Sequence, residues 1–109
     1  MMSKETQVQH CLLEIEQAMK AAALWQAAPP APAAFESTEP FSVDTMDAEQ
    51  WLQWVFLPRM QALLAQRATL PTRFALTPYF EVAFTQAGIP APALLAALQR
   101  LDDLLNQDA

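Results

Sequence analysis

Apolar residues recur every three or four positions along most of the chain, which is the period of an α-helix. Between positions 4 and 27, Val8, Cys11, Leu12, Ile15, Ala18, Met19 and Ala22 fall on one stripe, with Glu14, Gln17 and Lys20 outside it. Leu13 and Leu24 sit on the opposite side, where something must cover them or leave them in water. Pro29, Pro30 and Pro32 end this helix and start an extended connector. A second apolar run begins near Thr45 or Asp47 and continues to about position 66. Its start carries Asp47 followed three residues later by Gln50, the pattern of a capping box with an acid as the cap. Thr77-Pro78 predicts a third helix, with Thr as N-cap and Pro at the first helical position, running to about 87. Gly88 then serves as its left-handed C-cap. A fourth helix starts near 90–92 and runs to about 106, with Leu94, Leu98, Leu101 and Leu105 as its stripe. No segment alternates strictly, so no sheet is assigned. The expectation is an all-α bundle of about four helices, one domain over residues 1–109.

The segment between the first two helices interrupts this pattern. Phe35, Phe41, Val43 and Met46 are interspersed with polar residues over positions 35–47. Apolar residues in a non-helical stretch pin it to a core, so this long loop is expected to be ordered. The second helix is apolar around most of its circumference, as expected of a central helix or one that keeps a face for a partner. Pro58 falls inside it, removing one backbone hydrogen bond and crowding the Trp54 carbonyl, which predicts a kink near that turn. Trp51 shares a face with Val55 and is expected to be buried.

The block Phe41-Ser42-Val43-Asp44-Thr45-Met46 followed by Trp51-Leu52-Gln53-Trp54-Val55-Phe56-Leu57-Pro58-Arg59-Met60 resembles the YqcC-like family of small bacterial helical proteins. The similarity continues through Leu70-Pro71 and Pro78-Tyr79 into the leucine-rich end, so it covers nearly the whole chain. The resemblance implies an all-α bundle of about four helices, a cytoplasmic bacterial protein, and a genomic association with a tRNA pseudouridine synthase. It brings no catalytic residues to carry over.

Composition narrows the chemistry. Of the 109 residues, 53% are hydrophobic and 17% charged, as in a globular chain with a packed core. A formal net charge of -6 argues against direct nucleic-acid binding, which needs a basic field. A single glycine cannot build either common nucleotide-binding loop. One cysteine and one histidine argue against a disulfide framework and against a zinc site, so neither metal nor cofactor is expected. No run of eighteen apolar residues spans a bilayer, and no apolar stretch follows Lys4 to make a signal peptide; the expected location is cytoplasmic.

His10 and Cys11 are adjacent and point about 100° apart on a helix, so they read as a surface histidine and a core cysteine. Asp102 and Asp103 read as a solvated face of the last helix. Positions 50, 54, 57 and 61 step by four, three and four along one edge bordered by glutamines. That edge is expected to reach water, making Trp54, Leu57 and Gln61, with Arg67 and Arg73 nearby, the candidate contact surface for a protein partner. Asp44, Asp47, Arg59 and Tyr79 form a candidate polar cleft between the second helix and the loop, with Arg59 pairing to Asp44 or Asp47 as the structural alternative. The favoured reading is a non-catalytic interaction module accessory to a tRNA-modification enzyme. Two alternatives stay open: a ligand binder or enzyme using the polar cleft, and a structural homo-oligomer.

Overall fold

The computed structural model describes residues 3–71 and 75–106. Helix α1 spans Lys4–Ala21, and Ser3 caps it by accepting the Thr6 N–H at 3.2 Å. Two short 3-10 turns, Pro32–Glu36 and Pro40–Ser42, punctuate the connector. The second helix is built from α2 (Ala48–Trp51), a π-helical turn (Leu52–Phe56) and α3 (Leu57–Ala65). Helices α4 (Thr77–Ala87) and α5 (Pro92–Leu105) complete the chain. No strand occurs among the described residues, so the fold is the all-α bundle that the periodicity predicts. Helix α5 is its centre: α1 packs chiefly against it, and α4 lies on it too.

The predicted stripes are the observed core. Val8, Cys11, Leu12, Ile15 and Met19 of α1 meet Leu94, Leu98, Leu101 and Leu105 of α5, all buried. The second helix adds Leu52, Phe56, Leu57 and Met60, and α4 adds Phe80 and Phe84. Leu24 packs against this core, whereas Leu13 stands in water.

Helix α1 stops at Ala21, six residues short of the expected end. Ala23 turns into the left-handed region at φ 61°. The Leu24 N–H then donates to the Met19 carbonyl at 2.8 Å and the Ala23 N–H to the Lys20 carbonyl at 3.2 Å. This is a Schellman ending without its usual glycine. The reversal carries Gln26 onto the second helix. There its backbone N–H donates to Gln53 Oε1 and its carbonyl accepts from Gln53 Nε2, both at 2.8 Å. Helix α3 ends in the same way, with Arg67 at φ 53° and the Ala68 N–H donating to the Leu63 carbonyl at 2.9 Å. Only α4 ends on glycine, Gly88 at φ 69°, as expected.

The second helix does not end at Pro58. The π turn lies immediately before it, with the Leu57 N–H donating to the Leu52 carbonyl five residues back. The widened turn gives the proline ring room over the carbonyl beneath it. It also rotates the register. Leu57 comes to lie over Leu52, on the core side, and is 3% exposed. The expectation that Leu57 faces water is therefore wrong, because the spacing argument assumed an unbroken α-helix through this turn. The capping box is present: the Asp47 N–H donates to Gln50 Oε1 at 2.9 Å, and the Asp47 side chain caps the Gln50 N–H.

Asp102 does not belong to a solvated face. It is 3% exposed, and its carboxylate reaches the start of α4. Oδ1 accepts the Leu76 N–H at 3.0 Å; Oδ2 accepts the Thr77 N–H at 2.8 Å and the Thr77 hydroxyl at 2.7 Å. Thr77 is thus not the cap of its own helix; α5 supplies that cap. Asp103 is exposed, as expected. Among the described residues no buried side-chain nitrogen or oxygen lacks a partner.

Ala23 and Arg67 hold a conformation that a Cβ disfavours. Ala23→Gly and Arg67→Gly should each raise the unfolding free energy by about 0.5–1 kcal/mol. Chemical denaturation of the two variants checks this, and a loss of stability at either position would show that its Cβ makes contacts worth more than the strain.

Candidate functional site

Aromatic rings organise one side of the molecule. Phe41, from the loop, stacks on Tyr79 of α4 with centroids 4.0 Å apart and planes 6° from parallel. It also meets Trp51 edge-on at 4.8 Å. Trp51 continues to Phe56 at 5.5 Å and Phe80 at 6.4 Å. Trp51 is half-buried rather than fully buried, because it lies at the surface end of this ladder under Phe41. Phe41 and Ser42 adopt left-handed φ values of 59° and 48°. A bulky residue in that region is a strained arrangement, held here by the ring contacts. The Thr45 hydroxyl donates to the Ala34 carbonyl at 2.7 Å and closes the loop behind it. The loop packs inward through Phe41 and Met46, yet Phe35 and Val43 point outward.

Beside this ladder lies an open groove of about 460 Å³ between the start of the second helix and α4. Val43, Met46, Asp47, Glu49, Tyr79, Val82 and Ala83 are among its lining residues. Two of the four residues of the predicted polar cleft, Asp47 and Tyr79, therefore meet. The other two do not line the groove. Asp44 accepts a hydrogen bond from the Ser37 hydroxyl. Arg59 is exposed on α3, and the ion pairs Lys20–Glu16 and Arg100–Glu14 leave it out, so the expected pairing with Asp44 or Asp47 is not formed. Burial pushes the Tyr79 phenol above its usual value of 10.0, and the nearby Glu49 carboxylate pushes it further in the same direction.

The predicted contact surface falls in a second groove of about 380 Å³, where Trp54, Leu57 and Gln61 meet Trp25, Gln26, Gln53 and Pro58. Trp54 is half-buried, and its indole N–H donates to Gln26 Oε1 at 3.2 Å. Gln61 is exposed. The connector after α1 thus covers much of the edge expected to be free. Arg67 lines neither groove, lying at the end of α3 near Ser3 and Glu5. Arg73 lies outside the described residues.

Gln53, which the sequence reading passed over, is 4% exposed and holds both backbone groups of Gln26. The signal was available: Gln53 is the one polar position in the apolar run from Trp51 to Leu57. His10 is exposed and Cys11 buried, as expected. Burial raises the Cys11 thiol above its usual value of 9.0; Glu14 adds to this and Arg100 opposes it. No cluster of histidine, cysteine or carboxylate residues suited to a metal ion occurs among the described residues, and no helix among them is long and apolar enough to cross a membrane.

These features define a small α-helical bundle whose interior polar groups serve its own architecture and whose surface carries open grooves, the two described among them. The chain belongs to the DUF446 family, described as tRNA pseudouridine synthase C, whose profile matches residues 7–104. A Haemophilus influenzae relative, named only as an uncharacterized protein, is 46% identical over 102 residues, 94% of this chain and 95% of that one. Escherichia coli YqcC is 44% identical over 85 residues, 78% of each chain. The solution NMR structure of that protein superposes with a TM-score of 0.86 at 38% identity, covering 99% of this chain and 92% of the other. A Pectobacterium carotovorum protein named tRNA pseudouridine synthase C is 57% identical over 70 residues, 64% of this chain but only 19% of that protein.

Tyr79 is the chain's only tyrosine, so its titration can be read by ultraviolet absorbance without overlap. Its midpoint should lie above pH 10.0, and Glu49→Gln should bring it down. In the unfolded chain the phenol loses its proton first. The corresponding stability is therefore full below pH 10.0 and is lost as pH rises through the folded value. A midpoint below 10.0, or one that Glu49→Gln leaves in place, would contradict the placement of Tyr79 beside Glu49.

Proposed function

We propose that this chain is a non-catalytic interaction module that acts with a tRNA pseudouridine synthase. One observation carries the reading: a stretch 57% identical to 70 residues of this chain makes up 19% of a protein named tRNA pseudouridine synthase C. Most of that relative therefore lies outside the matched stretch. Two parts joined in one chain stay at a high effective concentration; parts made separately need an interface to regain it. The family description carries the same synthase name. A net charge of -6 makes a protein surface a better match for this chain than the phosphates of the tRNA. The two surface grooves offer apolar area for such an interface.

The test is calorimetry and gel filtration of the purified chain with the pseudouridine synthase C encoded in the same genome. The expected result is a stoichiometric complex with Kd of about 10 µM or tighter, and no binding of tRNA by the chain alone at physiological salt. Absence of a complex at roughly tenfold that concentration overturns the reading. A homo-oligomer that excludes the synthase would instead favour a structural role.

A further inference from the structure

We propose that the groove between the Val43–Glu49 segment and α4 is the docking site for a basic amphipathic helical segment of a protein partner. The partner's identity rests on the function proposed above; the groove's chemistry stands on its own.

Two of the large apolar side chains left in water, Val43 at 58% and Val82 at 57% exposure, line this same groove. Val82 is the more telling. A β-branched residue on a helix loses rotamer freedom, and at this exposure it recovers little by burial. A partner that covers both valines removes their apolar surface from water. Met46 and the small Ala48, Ala83 and Ala87 add to the apolar lining of the groove. Successive anchors at i, i+3 and i+4 of an amphipathic helix have the shape for a groove of this kind.

Charge selects among such helices. Asp47 and Glu49 line the groove, and among the described residues no lysine or arginine does. Carboxylates beside apolar walls attract cations and repel phosphates or acidic segments. Lysine or arginine flanking the apolar anchors therefore completes the match, and arginine can engage a carboxylate through two hydrogen bonds.

Tyr79, which lines the groove, is stacked on Phe41, so its ring has less freedom to lose when a segment docks.

The experiment uses the full 15N-labelled chain and two probes: an amphipathic Leu/Lys helix of about four turns and its Leu/Glu counterpart. The Leu/Lys peptide should shift the amide resonances of Val43, Glu49, Tyr79 and Val82, weakening with added salt, and the Leu/Glu peptide should not. Val82→Lys should reduce both peptide and synthase affinity by about tenfold or more. Leu13→Lys, also at an exposed leucine, 54% accessible on α1, should leave both unchanged. Both positions face water, so melting temperatures should match wild type and a lost interaction cannot be blamed on unfolding. Shifts confined to other residues, equal shifts with the Leu/Glu peptide, or synthase binding indifferent to Val82→Lys overturn the groove. Shifts of the same amides by tRNA overturn a protein segment as its occupant. If the synthase fails to bind wild type while the Leu/Lys peptide maps to the groove, the groove stands and the partner named above falls.

Discussion

A single buried carboxylate ties the two C-terminal helices together. A charge taken out of water is costly unless hydrogen bonds replace its hydration. Asp102 receives the backbone N–H groups of Leu76 and Thr77 and the Thr77 hydroxyl. Those N–H groups belong to the first turn of α4, where helices leave donors unpaired and favour negative charge. Neither side is stable alone in the interior: the helix start needs an acceptor and the carboxylate needs donors. Their mutual satisfaction places α4 on α5 at one register. Tyr79, Val82 and Ala83 then follow from the position of that first turn, so the groove they line depends on a residue that does not touch it.

A second polar contact does the same work at the other end of the bundle. Gln53 presents its amide to both backbone groups of Gln26 and so fixes where the chain goes after α1. The left-handed Ala23 makes that path reachable, and Trp54 is covered as a result. The π turn before Pro58 completes the arrangement by turning Leu57 inward beside Leu52. These internal contacts cover much of the Trp54 edge and leave Val43 and Val82 in water.

Periodicity read the fold well because it reports the burial of apolar stripes, and burial decides which helix faces meet. The stripes of α1 and α5, the Asp47–Gln50 box and the Gly88 ending all follow from residues near each other in the chain. The candidate surface was less legible, for two reasons. Asp102 finds its partners twenty-five residues away, and local pattern has no term for that. Its position was still suggestive, four residues after Leu98 and three before Leu105, on the apolar stripe where a solvated acid does not belong. Gln53 sat on the core line for the same kind of reason. Leu57 failed differently: a regular helical spacing was carried through positions 52–56, where the π turn changed the face on which Leu57 lands. The polar cleft was half right, since Asp47 and Tyr79 meet while Asp44 is engaged within the loop by Ser37 and Arg59 lies elsewhere.

The dependence of the bundle on Asp102 is open to direct measurement by equilibrium urea unfolding of Asp102→Ala and Asp102→Asn. Removing the carboxylate leaves two backbone donors and a hydroxyl buried without an acceptor. The alanine variant should therefore lose about 3–5 kcal/mol, and asparagine, which keeps one acceptor oxygen, should lose less. A loss below about 1 kcal/mol for Asp102→Ala, the level of an ordinary surface substitution, would contradict the claim that this carboxylate holds α4 in place.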